Sequence, residues 1–325
     1  MITAVSLHFI RDIYTEGFTL KAGFNLQFKD FVNLGTVPIF LVSLILEANI
    51  LGWESSSMRK LFDAPSASSK TDLFYLLLKV SNLELFASAL FTLGLGYTLE
   101  IYLRSKLGMS LMHDSDLWKQ GAVQLLIGSF VFYWAHRLHH TRFFWEYHKL
   151  HHAATEMNLA NNFRSHPAIY YLRSLMEVVP GAILGINPMV ILAYSAFMGT
   201  LVIWQHSDVN WNLPWLERYL FIGSGGHRLH HSSLEKHYKK NIGYLVLWDW
   251  MFGTLMHPDA SLRVPIGIKD PLHNSGKPLR EMLQVFHAGN LALLREIGKR
   301  PASFRLIKFR AYENPKQANK EKEAA

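Results

Sequence analysis

The chain has no cysteine among its 325 residues. That excludes disulfides, thiolate-held iron–sulfur clusters and cysteine-type zinc sites. Acidic residues are in deficit: 25 Asp and Glu against 33 Lys and Arg leave a formal charge of +8. Such a surplus suits nucleic acid or an anionic membrane surface. The basic residues do not gather with aromatics outside the apolar runs, so no nucleic-acid partner is expected. The opening MITAVSLHFIRDIYTEG has a short apolar run with no basic residue ahead of it. That is not a cleavable-leader pattern, and any membrane insertion is expected to use internal spans.

Histidine is present in a pattern. His136 and His140 are four apart, His148, His151 and His152 form H-x-x-H-H, and His227, His230 and His231 repeat that spacing. Helical positions three or four apart share a face, so each box can aim two or three imidazoles at one point. Eight such imidazoles exceed the needs of one metal ion and suit two. A lone histidine is most often only a hydrogen-bonded or solvated side chain. Three boxes of matched spacing are different, because clustered histidines repel one another when protonated and unused.

Half of the residues are apolar and the mean hydropathy is +0.08, so apolar residues must be concentrated in segments. Residues 1–35 read as an interfacial or loosely packed lead-in. Residues 36–53 read as a membrane helix in which Glu47 must face the bundle. Residues 54–72 read as a polar, Ser-rich loop, and 73–103 as one tilted span or a short hairpin. Residues 120–135 form a third apolar run that leads into His136, with Tyr133 and Trp134 at the interface. Residues 168–205 are apolar but interrupted by Gly185, Asn187 and Pro188, which predicts two helices joined by a tight turn. A hairpin there lets both of its ends reach one metal site. Residues 230–258 are too interrupted to span and read as part of the cap. Residues 278–297 read as an amphipathic helix packed on the cap or lying on the bilayer, followed by Lys299, Arg300, Arg305, Lys308 and Arg310. The expected fold is an all-α membrane bundle of about four apolar segments with a histidine-rich cap. The Lys and Arg of 136–167 and 207–325 place that cap in the cytoplasm. The expected division is 1–117 as N-terminal region, 118–258 as catalytic domain and 259–325 as C-terminal helix and tail.

Imidazole binds iron, zinc, copper and nickel, so the ligand type does not name the metal. The boxes contain no carboxylate at ligand spacing, unlike the four-helix di-iron bundles, and no H-x-H-x-D typical of hydrolytic zinc pairs. An all-nitrogen, two-metal site against lipid suits iron-dependent activation of dioxygen and attack on an unactivated C–H bond. The rival expectation is a histidine-rich membrane metal-binding or transport protein without oxygenase activity. Transporter ligands lie near the bilayer midplane, however, and these boxes lie at span ends.

YWAHRLHH, WEYHKLHHAATEMN, RSHP, HRLHHS, and KNIG followed by WDWMFGT resemble, in order, the motifs of the fatty acid hydroxylase/sterol desaturase superfamily. The resemblance covers roughly residues 118–258. It implies a multi-pass membrane enzyme that holds two iron ions, uses O2 and oxidises a sterol, fatty acyl chain, ether lipid or carotenoid. It places the enzyme in the cell membrane of a bacterium or the endoplasmic reticulum of a eukaryote. It implies external electrons from a cytochrome b5- or ferredoxin-like protein, and the chain carries no heme motif of its own. The implied ligands are His136, His140, His148, His151, His152, His227, His230 and His231, with His206 completing the second metal. His166 is implied as ligand or outer-sphere group, and Asn241 and Asp249 as groups that orient imidazoles. His139 is expected to be a bystander and His237 a surface residue, and His8, His113, His257, His273 and His287 are expected on the surface or in the core. Trp250 and the pair Gly225–Gly226 depart from the family pattern, where a polar or basic residue and a proline are more common.

Overall fold

The computed structural model describes residues 36–84, 87, 111–169, 179–181, 183–211, 213–258, 264–268, 270 and 273–297. Within them every regular element is a helix, and the only strand-like pairings are the isolated bridges Phe221–Leu245 and Ser232–Ile266. The lead-in 1–35, most of 73–103, residues 170–178 and the basic tail lie outside the described residues.

In order the helices are α1 (Thr36–Leu51), α2 (Ala67–Val80), α3 (Leu117–His139), α4 (Arg142–His152), α5 (Pro188–Gln205), α6 (Pro214–Tyr219), α7 (Ser224–His230), α8 (Val246–Met251) and α9 (Pro278–Ile297). Short 3-10 turns at Leu159–Phe163 and Pro167–Ile169 follow the second histidine box.

Local chemistry sets the boundaries. The turn into α5 has Gly185 at φ 75°, and the Asn187 side chain accepts from the Met189 N–H at 2.8 Å with Pro188 in the first turn. That is the expected turn, although most of its first arm is outside the described residues. Ser66 caps α2, its hydroxyl accepting from the Ser69 N–H at 3.0 Å. The Ser-rich stretch 54–72 is not the solvated loop expected of it. Ser56, Ser57, Ser68 and Ser69 are buried, because their hydroxyls find partners inside: Ser56 the Trp53 carbonyl, Ser69 the Glu156 carboxylate, and Ser57 and Ser68 backbone N–H groups of the segment after box two. Ser57 Oγ accepts from the Leu159 N–H at 3.0 Å and Ser68 Oγ from the Thr155 N–H at 3.2 Å.

Three apolar clusters surround the histidine boxes. Phe40, Leu44, Leu76 and Ile203 bring α1, α2 and α5 onto Leu159, Ala160 and Phe163. Tyr147 and Leu150 of α4 pack on Met282 and Val285 of α9. α9 is therefore seated on the second box. Tyr194, Met198 and Val202 of α5 pack on Tyr244, with Phe132 of α3 stacked on the same ring at 3.5 Å. α8 does not sit beyond the end of α3 as a cap would. Trp248 Nε1 donates to Ser129 Oγ at 2.9 Å and its ring meets Phe130 at 5.0 Å, inside the apolar run of α3.

α1 is apolar on its outside, and its inward side carries two polar residues beside Phe40 and Leu44. Leu41, Val42, Ile45, Leu46 and Ile50 are exposed, while Ser43 and Glu47 are buried. Glu47 Oε2 accepts from the Ser57 N–H at 2.7 Å, which satisfies the carboxylate inside the bundle. Among the described residues α5 is long and apolar enough to cross a membrane, and α1 is apolar but shorter.

Beneath the second box lies a fully buried polar network. Asp72 of α2 accepts from Arg164 Nη1 at 3.2 Å, Asn158 Nδ2 at 2.9 Å and Asn161 Nδ2 at 2.8 Å. Arg164 Nη2 also donates to Asn274 Oδ1 at 2.8 Å. Removing one member strands a buried charge. Arg164→Ala is expected to lower the stability of the detergent-solubilised chain by about 3–5 kcal/mol. Thermal unfolding measures it, and an unchanged transition would contradict the role given to this network.

Candidate metal centre

The first box is the last turn of α3 and the residue after it, where His136 and His140 point inward. The second is the C-terminal end of α4, and the third occupies α7 and His231 behind it. Nine imidazoles meet between these ends in two groups: His136, His140, His148, His152 and His230 in one, and His151, His206, His227 and His231 in the other. Within each group the ligand atoms lie within 4.8 Å of one another. The i,i+4 pairs His148–His152 and His227–His231 each serve one group. The odd member of each H-x-x-H-H box crosses to the other group. His206 joins from the C-terminal end of α5. The groups adjoin, with the rings of His152 and His231 stacked at 4.5 Å.

In the first group Nε2 of His136 is 3.0 Å from that of His148 and 3.1 Å from that of His230. His140 Nε2 is 3.3 Å from His230 Nε2, and His152 Nε2 is 3.1 Å from His148 Nε2. In the second group His206 Nε2 lies 3.3 Å from His151 Nε2 and 3.0 Å from His227 Nε2, and His231 Nε2 is 3.1 Å from His227 Nε2.

The tautomers follow from what holds the other nitrogen. His136 Nδ1 lies 2.7 Å from the Ile242 carbonyl, His230 Nδ1 2.9 Å from the Lys240 carbonyl and His206 Nδ1 2.8 Å from the Val202 carbonyl. A carbonyl only accepts, so each Nδ1 carries the proton and each Nε2 turns a lone pair inward. His136 and His230 thus face one another, lone pair to lone pair. Burial first, and then the neighbouring rings, holds His148, His152, His227 and His231 well below the usual histidine range. His230 is pushed down to about 4 by burial. Burial thus disfavours the charged form of these imidazoles, and no proton bridges His136 and His230. Converging lone pairs at such distances repel, and a cation at the centre of each group reverses that. The donor set therefore fits two metal ions. No carboxylate belongs to either group, so the ligands leave the ions' charge unneutralised.

The two carbonyls that orient His136 and His230 come from one loop, 240–242. Asn241, at φ 53°, donates from Nδ2 to the Gly226 and Met256 carbonyls at 2.9 and 2.8 Å and accepts from the Met256 N–H at 2.8 Å. Asp249 accepts from the Ile242 and Gly243 N–H groups, each at 2.8 Å, and from Thr254 Oγ1 at 2.6 Å. These two side chains thus act on the imidazoles through the backbone. Gly226 packs closely here: a Cβ would lie 3.0 Å from Ile222 and 3.4 Å from Asn241 Nδ2, so a side chain would require Ile222 to give by a few tenths of an ångström.

His166 joins neither group. Its Nε2 donates to the Met282 carbonyl at 3.0 Å and its Nδ1 accepts from the Ala168 N–H at 3.1 Å, so both nitrogens are committed to backbone. Burial lowers it to about 4. His139 also joins neither group; it is buried, its ring 5.2 Å from that of His148. His237 is not the surface residue expected. It is buried with Nδ1 2.9 Å from Ser232 Oγ, because the 3-10 turn after box three folds back under it. Sequence reasoning missed the carbonyls of Lys240 and Ile242, which have no side-chain signature. It also missed Asp208, which takes Arg228 Nη2 at 3.0 Å and pairs with Lys60, tying box three to the loop before α2. Lys60 also donates to the Met157 carbonyl at 2.9 Å.

A helical scaffold thus gathers nine imidazoles into two adjoining groups, an all-histidine donor set of the kind that holds metal. Residues 121–254 match the family model described as fatty acid hydroxylase. The putative Delta(7)-sterol-C5(6)-desaturase 2 of Arabidopsis thaliana is 30% identical over 146 residues, 43% of this chain and 49% of that one. The alkylglycerol monooxygenase of Homo sapiens is 31% identical over 153 residues, 46% of this chain and 33% of that one. The methylsterol monooxygenase 2-2 of Arabidopsis thaliana is 29% identical over 160 residues, 46% and 58% respectively. Over this segment the chain is similar to the fatty acid hydroxylase/sterol desaturase superfamily. The chain spans between a third and three-fifths of the length of these relatives. No solved structure matches it.

Two outcomes follow. Asp249→Ala is expected to weaken metal binding about 10- to 100-fold through the freed 240–242 loop, as chelator competition measures, whereas His139→Ala leaves binding unchanged. An Asp249→Ala protein that binds as tightly as the unaltered chain would refute the clamp. The second concerns His166. Its folded-state pKa is below the unfolded value, so the unfolded chain takes up the proton first and stability is lost as pH falls from 6.5 towards 4. In His166→Gln that acid loss is expected to shrink by up to about 3 kcal/mol, read from denaturation at the two pH values.

Proposed function

We propose that the chain is an oxidoreductase of the membrane, holding two iron ions and using O2 and external electrons to hydroxylate or desaturate a lipid. The observation that carries this reading is the pair of carboxylate-free imidazole groups beside one cavity. His136, His140, His148, His152 and His230 would hold one ion, and His151, His206, His227 and His231 the other. When bound, the iron pair supplies reduction of dioxygen and removal of hydrogen from an unactivated C–H bond. The protein's part is geometric. Lys240 and Ile242 fix imidazole orientation, and Asn241 and Asp249 fix Lys240 and Ile242 in turn. The apolar wall of Phe132, Val202 and Tyr244 excludes water and receives the hydrocarbon.

The relatives' names speak of sterols, alkylglycerols and, for the GL1-11 proteins of Oryza sativa, very-long-chain aldehydes. All are lipids, and a lipid substrate for this chain is the common part. Seating in a bilayer is supported by the outward apolar face of α1, by α5, and by Leu126 and Phe130 exposed on α3. In this reading the spans are α1, the apolar run of α3, and α5 with the arm before it, and the histidine groups face the cytoplasm. Residues 118–258 form the catalytic unit, wrapped by the regions before and after it. Electrons would come from a separate cytochrome b5- or ferredoxin-like protein.

Two measurements test the proposal. The iron-loaded chain with reductant is expected to consume O2 only when lipid is added, and to yield a product 16 mass units heavier or 2 lighter. Oxygen uptake indifferent to lipid would count against it. The natural absence of cysteine permits single-cysteine labelling with impermeant reagents in sealed vesicles. Residues 187 and 234 are expected to label from opposite sides, and equal labelling from one side would contradict the crossing of α5.

A further inference from the structure

The cavity beside the two histidine groups touches His148 and His227, and Asn162 is among the other polar residues that line it. Asn162 sits on the 3-10 turn Leu159–Phe163, directly after a capping box made by Asn158 and Asn161. Those two side chains are consumed by Asp72, as is the Arg164 guanidinium. The backbone carrying Asn162 is thereby held on both sides by a buried network that its own side chain does not join. Asn162 is 9% exposed, and its Oδ1 is buried with no hydrogen-bond partner. Gln205, another polar residue of the same wall, is tied by Nε2 to the Ile222 carbonyl at 2.6 Å.

We propose that Asn162 is a substrate-positioning residue. Its carboxamide oxygen accepts a hydrogen bond from a hydroxyl or N–H of the lipid. The preferred substrate is then a lipid bearing such a donor close to the carbon attacked, in place of an unsubstituted hydrocarbon chain. This rests on the reading of the cavity as a lipid-oxidising site. The physical reason is the asymmetry of buried hydrogen bonding. A bare hydrocarbon beside Oδ1 leaves an acceptor desolvated and unpaired, whereas a donor satisfies it, so the site rejects the donorless analogue. Because the turn is rigid, little ordering of the side chain offsets that gain.

The test is equilibrium binding to the full, detergent-solubilised, iron-loaded chain of two probe pairs. They are a 3β-hydroxysterol with its 3-deoxy counterpart, and hexadecan-1-ol with hexadecane. The unaltered chain is expected to bind the hydroxylated member of at least one pair about 10- to 100-fold more tightly. Asn162→Leu, of similar volume and without polar atoms, is expected to lose that preference by weakening only the hydroxylated member, with bound iron unchanged. No preference in either pair for the unaltered chain overturns the proposal without any variant being made. A preference that survives in Asn162→Leu overturns it as well. Oxygen uptake is measured in parallel. A hydroxyl preference that depends on Asn162 in a chain showing no lipid-dependent oxygen uptake upholds the subsite and removes the oxygenase reading, so the two fail separately.

Discussion

Imidazole nitrogens brought to about 3 Å of one another in a buried space, with the lone pairs of His136 and His230 turned on each other, are the constraint on which this structure depends. Burial keeps the rings from taking up protons, and the backbone carbonyls of Lys240, Ile242 and Val202 keep three of them from turning away. The repulsion that results has to be held by the scaffold until a cation removes it. That explains why the site rests on helix ends pinned by polar networks. Asp72 with Arg164 lies under box two, Asp249 with Thr254 behind the 240–242 loop, and Asp208 with Arg228 beside box three. Each network joins a histidine-bearing segment to an element distant in sequence.

The crossing of the boxes has a consequence for the chemistry. Because His151 and His230 each leave their own box for the opposite group, neither centre can form without α4 and α7 together. The two groups are coupled mechanically, since a shift of α7 moves histidines of both. The cavity touches both groups, so in the proposed reading a hydrocarbon seated there would meet both ions. The same arrangement leaves Asn162 on the cavity wall with a buried, unpartnered carboxamide oxygen, the group to which the proposed selectivity among lipids is assigned.

Much of the site was legible in the sequence because helical spacing is a short-range property. His148 and His152, and His227 and His231, had to share a face, and the structure brings each pair into one group. Spacing could not tell which group the third histidine of a box would join, since that depends on how α4 and α7 are placed. The all-helical class was readable from the apolar segments, and the turn before α5 from Gly185, Asn187 and Pro188. Less was readable where polarity misled. The serines of 54–72 looked solvated, yet Ser57 and Ser68 are buried partners of backbone N–H groups. His237 looked exposed because it follows charged residues, yet the turn folds it under. The carbonyls that set the tautomers are invisible in any sequence.

The most direct test of the central claim is anaerobic titration of the metal-free chain with Fe(II), counting ions bound per chain. Two groups of inward-facing lone pairs predict a stoichiometry of two. The iron is expected to be surrounded only by nitrogen and oxygen scatterers, with the outer-shell signature of imidazole in its X-ray absorption spectrum. One ion per chain would show that the two groups form a single centre. No tight binding at all would show that the nine histidines are held together by something other than metal.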